Sequence, residues 1–201
     1  MNTVVQAAEA IMHSGGSDLG ALAADYRANG LQPPLVMLDP TPAQIDVAPH
    51  KSLLGWWTQQ GNGEAPPVAL ITPGALRAYL GRLIVLEPID AHDFRYRLYG
   101  STVAQFVGAD FTGKLLSETW SLRAWPELTR AYYLATYHAA VSARRPLYTT
   151  ERRVGQNEVH VWHRLLLPFA DPGEPVSRVL LHTMACDNDG NPLPVWRSEG
   201  G

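Results

Sequence analysis

The sequence predicts an α+β domain: a five-stranded antiparallel sheet with helices on one face, preceded by a helical extension. Three observations predict it. First, Phe94-Arg95-Tyr96-Arg97-Leu98-Tyr99-Gly100 alternates apolar and polar residues, the period of a strand with one buried face. That period sends Phe94, Tyr96 and Leu98 one way and Arg95, Arg97 and Tyr99 the other. Second, three strand patterns close the chain, at Leu147 to Val154, Val159 to Pro168 and Arg178 to Cys186. Third, a long helical pattern stands between them, from about Ser121 to Ala143. Its Trp125, Leu128, Tyr132, Ala135 and Ala139 recur at spacings of three and four.

The elements follow in order. Val4, Val5, Ala8, Ile11 and Met12 line one face of a short helix, broken by Ser14-Gly15-Gly16. Leu19, Leu22, Ala23 and Tyr26 repeat at helical spacing, with Ser17 or Asp18 as cap and Gly30 as stop. These helices dock on a partner subunit or cover their own domain. Leu31 to Pro49 holds five prolines, which excludes a long helix or a central strand. Leu53, Leu54, Trp56 and Trp57 cluster on a helix ended by Gly61, with core anchoring as the role of the tryptophans. Thr72-Pro73 opens another short helix, stopped by Gly81. Leu83 to Leu86 is a strand, Ile89 to Asp93 its turn, and the Phe94 strand completes a hairpin. Thr102 caps a short helix closed by Gly108, and Phe111 to Thr119 is mixed. Pro126 fits only the first turn of the long helix. Gly155-Gln156-Asn157 and Asp171-Pro172-Gly173 are the late turns. The domains expected are therefore an extension and Pro-rich linker at 1–48, a sheet domain at 49–187 and a flexible tail at 188–201.

Composition bounds the function. The 201 residues are 46% hydrophobic and 17% charged, with a net charge of -3, so no basic footprint for nucleic acid or an anionic membrane is present. The one cysteine, Cys186, allows no internal disulfide. With neither a signal-peptide pattern nor a run long enough to span a membrane, the expected location is the cytoplasm.

Three motifs in order carry a resemblance: Phe94 to Gly100 (F-R-Y-R-L-Y-G), Gly108-Ala109-Asp110-Phe111-Thr112-Gly113-Lys114, and Arg164-Leu165-Leu166-Leu167-Pro168-Phe169. With Leu54-Gly55-Trp56-Trp57 upstream, they resemble a bacterial family of stand-alone PAS-domain proteins over residues 51–187. The resemblance implies a five-stranded PAS sheet and, in such domains, sensing of small molecules, light or redox state, commonly as dimers. Family members often lack an attached effector domain. The function expected is thus a non-enzymatic sensory or regulatory module in bacterial signal transduction, homodimeric, binding a small molecule or a signalling partner protein, with no nucleic acid and no membrane. A small α+β enzyme of isomerase or dehydratase type using the same cavity is the alternative, as is a ligand-free protein-interaction module. A ligand would sit between the inner sheet face and the helices, against Tyr96, Leu98, Phe106, Trp120, Tyr132, His163 and Met184. No cofactor is assigned.

Other chemistry is weaker. Gly108 to Lys114 has the glycine and lysine spacing of a phosphate loop, but Leu115 stands where a hydroxyl must bind magnesium. The stretch reads as a turn, with Gly108 and Gly113 at positive φ and Asp110 or Thr112 capping it. His160 and His163 fall on opposite faces of one strand and cannot share a metal, with His182 on the next strand; His163 reads as a buried, hydrogen-bonded residue. His138, the haem-type candidate, is at the margin of the buried stripe. Cys186 is misplaced for flavin photochemistry of the light-oxygen-voltage type. Arg95, Arg97 and Arg153 could form a basic platform, which the overall charge disfavours, and Asp187 to Gly190 lacks calcium-loop spacing.

Overall fold

The computed structural model describes residues 3–90, 93–123, 126–154, 159–187 and 190–193. Its helices are α1 (Thr3–Ser14), α2 (Ala21–Ala28), α3 (Ala48–Gly61), α4 (Ser101–Val107), α5 (Leu116–Arg123) and α6 (Glu127–Ala143). Its strands are β1 (Leu35–Leu38), β2 (Leu83–Pro88), β3 (Phe94–Tyr99), β4 (Leu147–Val154), β5 (Val159–Phe169) and β6 (Arg178–Cys186). The strands form one antiparallel sheet in the order β1-β4-β5-β6-β2-β3.

The five expected strands are β2 to β6, and the sheet has a sixth. β1 arises inside the Pro-rich segment and pairs with the outer edge of β4, Val36 opposite Thr149. Proline depletes ladder donors, so a strand here is confined to an edge, and β1 is one. The extension covers its own domain: α1 packs along α6 and buries Ala7, Ala8 and Ile11, while α2 buries Leu22, Ala23 and Tyr26.

Helices cover both faces of the sheet, not one. On the inner face, α1, α2, α4, α5 and α6 enclose a core that includes Ile84, Leu86, Phe94, Tyr96, Tyr99, Leu147, Leu166 and Leu181. On the outer face, α3 buries Leu53, Leu54 and Trp57 against Leu165, Leu167, Phe169 and Leu180. Trp57 is the core anchor expected, its Nε1–H donating to the Pro168 carbonyl at 2.8 Å. The continuous apolar run of β5 follows from this double cover.

Two local readings change. The long helix is two: Pro126, extended at φ -53 and ψ 140, stands outside α6 as its cap residue, and α5 precedes it. Proline lacks the N–H that would continue the ladder. Residues 73–79 form turns rather than a helix, leading into a 3-10 turn at Leu80–Arg82; Thr72 Oγ1 still accepts the Ala75 N–H at 3.2 Å. Trp125, the Gly155 to Asn157 turn, parts of the 89–93 and 187–190 turns, and most of the tail lie outside the described residues.

β3 carries an irregularity with consequences for the site. Val85 pairs with Leu98 and Leu86 with Tyr96, so Arg97 is an extra residue in the ladder. This bulge reverses the alternation after Tyr96. Tyr99 turns inward and is buried beside Tyr96, at 5.3 Å between rings, while Leu98 turns to the outer face.

The free edge of β3 is latched by the Gly108 to Lys114 loop. Tyr96 N–H donates to the Lys114 carbonyl at 2.9 Å and Gly113 N–H to the Tyr96 carbonyl at 2.7 Å. Thr112 Oγ1 accepts the Tyr99 N–H at 3.0 Å, and Asp110 accepts the Thr112 N–H at 2.8 Å. Those bonds hold the Asp110 carboxyl below its usual range. Gly113, at φ +86, makes the turn.

Gly100 ends β3 for lack of space. A Cβ there would lie 2.5 Å from the Gly81 carbonyl oxygen and 2.7 Å from that of Leu83, both backbone. Gly100→Ala is expected to cost about 2–4 kcal/mol, read as a fall in the urea midpoint. A midpoint within error of the parent would show that the 3-10 turn yields freely.

Candidate functional site

The inner face holds a cavity of about 70 Å³ between β2, β3, β5, β6 and helices α4 and α6. That is room for about two waters, under half of the roughly 150 Å³ that holds a benzene ring and well short of a flavin or a haem. Its polar side is built from residues of one face on three adjacent strands, Glu151 lying diagonal to Arg164. β4 supplies Glu151, β5 supplies Arg164, and β6 supplies Thr183 opposite Arg164. Tyr133 and Tyr137 descend from α6, and Tyr96 and Tyr99 rise from β3. Val103 and Val107 of α4 form the apolar wall, and half-buried Trp162 the outer rim, with Phe106 edge-on to it at 5.7 Å.

Arg164 is the centre of this arrangement. Its side chain is 8% exposed and that of its partner Glu151 5%, with Nη2 3.2 Å from Oε2. Nη2 also donates to the Tyr133 hydroxyl. The guanidinium carbon sits 4.0 Å from the Tyr133 ring centroid and 5.7 Å from that of Tyr132. Desolvation opposes the charge, but the aromatic hydroxyls and Glu151 hold Arg164 firmly protonated. Burial pushes the Tyr96, Tyr132 and Tyr137 hydroxyls well up, so they remain neutral donors. The Thr183 hydroxyl is buried without a hydrogen-bond partner.

The seven residues expected at the site divide between the two faces. Tyr96 lines the cavity. Phe106 flanks it through Trp162, Tyr132 lies fully buried beneath Arg164, and Trp120 packs at the margin of the inner core under Arg130. Leu98, His163 and Met184 are on the outer face, which corrects their placement. The bulge turns Leu98, and His163 pairs directly with Met184 on the side facing α3. Missed were Arg164, Glu151, Thr183, Trp162, Tyr133 and Tyr137. A signal existed: polar residues of matching parity on three adjacent strands, opposite tyrosines four apart on the helix.

The outer face has its own polar cluster. The Tyr148 hydroxyl and His163 Nδ1 are hydrogen-bonded at 2.6 Å. His50 Nε2 meets the His182 carbonyl at 3.1 Å, and the His50 and His182 rings are edge-on at 4.8 Å. Among the described residues, no group of three His, Cys, Asp or Glu is placed to hold a metal. His138 packs on Phe94 at 5.1 Å, away from the cavity lining. On the sheet edge, Glu87 lies 3.9, 3.8 and 3.0 Å from Arg95, Arg97 and Arg178, so one carboxylate offsets part of the charge of three arginines. The described residues include no helix long and apolar enough to cross a membrane.

Among solved structures, a light-oxygen-voltage domain described with a flavin analogue overlays with a TM-score of 0.42 at 10% identity, covering 60% of this chain and 90% of that one. An RNA-binding light-oxygen-voltage receptor overlays at 0.39 and 11%, covering 90% and 58%. At these scores no residue role is transferred. No curated protein matches the chain. The PAS_5 family model, a PAS domain, matches residues 45–181, from the turn before α3 into β6. That match spans more than half the sequence, and the chain belongs to the PAS domain family.

Proposed function

We propose that the protein is a non-enzymatic sensory or regulatory module whose input is a small molecule in the inner-face cavity. The observation that carries this reading is the cavity itself, a polar floor of Arg164 and Thr183 beneath an apolar wall from α4. Glu151 is held in an ion pair with Arg164 rather than poised as a base, which favours binding over catalysis. The inner face also supplies a route outward. α6 presents Tyr133 and Tyr137 to the cavity and packs along α1 on another side, so a shift of α6 reaches the extension. The module acts as a homodimer and signals to a partner protein; half-exposed Leu31 and Leu35 beside edge strand β1 support a contact there. A cytoplasmic setting accords with a single buried cysteine.

Native mass spectrometry of protein purified from its own host tests this. The expected spectrum is a dimer carrying a small extra mass, lost on denaturation and absent from Val107→Trp, which fills the cavity. An extra mass retained by that variant would move the site elsewhere. A spectrum of single chains would remove the dimer.

A further inference from the structure

The chemistry of the partner is written in a groove between α2 and the first turns of α6, given that the chain makes the partner contact proposed above beside β1. The groove is open to solvent and holds about 490 Å³. Leu22 and Asp25 line it from α2, Glu127, Leu128 and Ala131 from α6, and Leu31 from the segment after α2. Leu31 is 50% exposed and Leu35 54%. Of the four large apolar side chains exposed among the described residues, three (Val5, Leu31 and Leu35) belong to the extension. A lone exposed leucine is ordinary, but one that lines an apolar groove marks a surface that a partner covers.

The charged side chains of the groove are both acidic. Among the described residues, neither Asp25 nor Glu127 pairs with a cation. Residues 1–48 hold five carboxylates and one arginine, a net charge of -4 in a chain of -3, which leaves +1 for the rest. The negative excess of the molecule is therefore concentrated in the extension. That charge decides between occupants. A contact between two copies would set like acidic faces against each other, and an anionic membrane is repelled in the same way. An added strand is closed off by the backbone. On the outer edge of β1, Leu38 N–H already donates to the Gly15 carbonyl at 2.9 Å. Gly16 lies so close to the same edge that a Cβ on it would stand 2.6 Å from the Val36 carbonyl oxygen. A helix laid between α2 and α6 fits what is left, its apolar stripe on Leu22, Leu31 and Leu128 and its cations beside Asp25 and Glu127.

We propose that this groove docks an amphipathic helix of a partner protein, one that carries lysine or arginine beside its apolar stripe. The homodimer then uses another face. The groove shares α6 with the inner-face cavity, which Tyr133 and Tyr137 of the same helix line, so one helix touches both the input and the partner.

The probe is a synthetic amphipathic helix of leucine and lysine, with a counterpart in which glutamate replaces lysine, each titrated into the full chain by fluorescence anisotropy. The lysine peptide is expected to bind at least about tenfold more tightly than its counterpart and to weaken as salt rises. Asp25→Lys combined with Glu127→Lys is expected to weaken it by about tenfold or more. Glu9→Lys combined with Glu64→Lys changes the net charge equally, at exposed positions outside the groove, and is expected to leave binding within about twofold. Leu31→Ser is expected to weaken it about threefold to tenfold. Urea midpoints show that each variant is folded. Equal binding of the two peptides, or equal loss in the two charge-reversed pairs, would overturn the inference while leaving the contact beside β1 in place. A dimer that Leu31→Ser separates in native mass spectrometry would give the groove to a second copy and overturn it as well. Binding of neither peptide, with the subunit number unmoved by Leu31→Ser, would overturn the partner contact and this inference with it.

Discussion

Arg164→Met is expected to lower stability by about 3–5 kcal/mol, a third or more of what a domain of this size has in reserve. The loss does not come from the ion pair being strong. It comes from leaving the Glu151 carboxylate, 5% exposed, without its cation. The stacking of the guanidinium on Tyr133 at 4.0 Å is lost as well, worth about 1–2 kcal/mol for a desolvated pair. The diagnostic variant is the double replacement Arg164→Met, Glu151→Leu. It removes both charges and should recover most of the loss. Urea unfolding of the parent, both singles and the double completes the cycle. If the double is as unstable as the sum of the singles, the two residues are not one unit.

The second large effect is a loss of stability in mild acid. His50, His163 and His182 are buried on the outer face, and all three are held below the ordinary histidine range chiefly by desolvation, His182 down to about 4. Groups around them act in both directions. Arg82 opposes protonation of His50 and His182, while Asp46 favours that of His163; Tyr148 bonds His163 and Tyr79 packs edge-on to His182. A depressed folded pKa means that the unfolded chain binds these protons first. Stability is therefore full above about pH 6.5 and falls as pH drops below it, until the folded histidines also titrate, near pH 4 for His182. Each histidine contributes about 1.4 kcal/mol per pH unit until its own folded form titrates, so His182 alone costs about 2 kcal/mol by pH 5. Unfolding free energies at pH 7, 6 and 5 measure the slope, and His182→Leu should flatten it by about one proton. A slope unchanged in that variant would place the acid response in other groups.

Much of the fold was legible because periodicity reports burial. Phe94 and Tyr96, the stripe of α6 and the three late strands all obey it. The site was less legible, for two physical reasons. The bulge at Arg97 inserts a residue that no composition marks, and from there Leu98 and Tyr99 exchange faces. The inner face is also polar around the cavity: Thr149, Glu151, Arg164 and Thr183 read as a solvated side, yet all four are buried. Parity alone placed His163 correctly with Val161 and Leu165 and foresaw its buried hydrogen bond. It could not say that this side of β5 lies opposite Tyr96. That needs the register of strands distant in sequence.

Strand β1 has a consequence for the order in which the molecule is made. Leu35 pairs with Thr150, more than a hundred positions later, and α1 rests on α6, which is as remote. The extension therefore waits for α6 and β4, the elements that bury most of it, until more than a hundred further residues have been made. Closing so long a loop sets a slow, late step in assembly. Until it closes, Ala7, Ile11 and Leu22 must wait exposed, so residues made before the sheet domain are among the last to find their place.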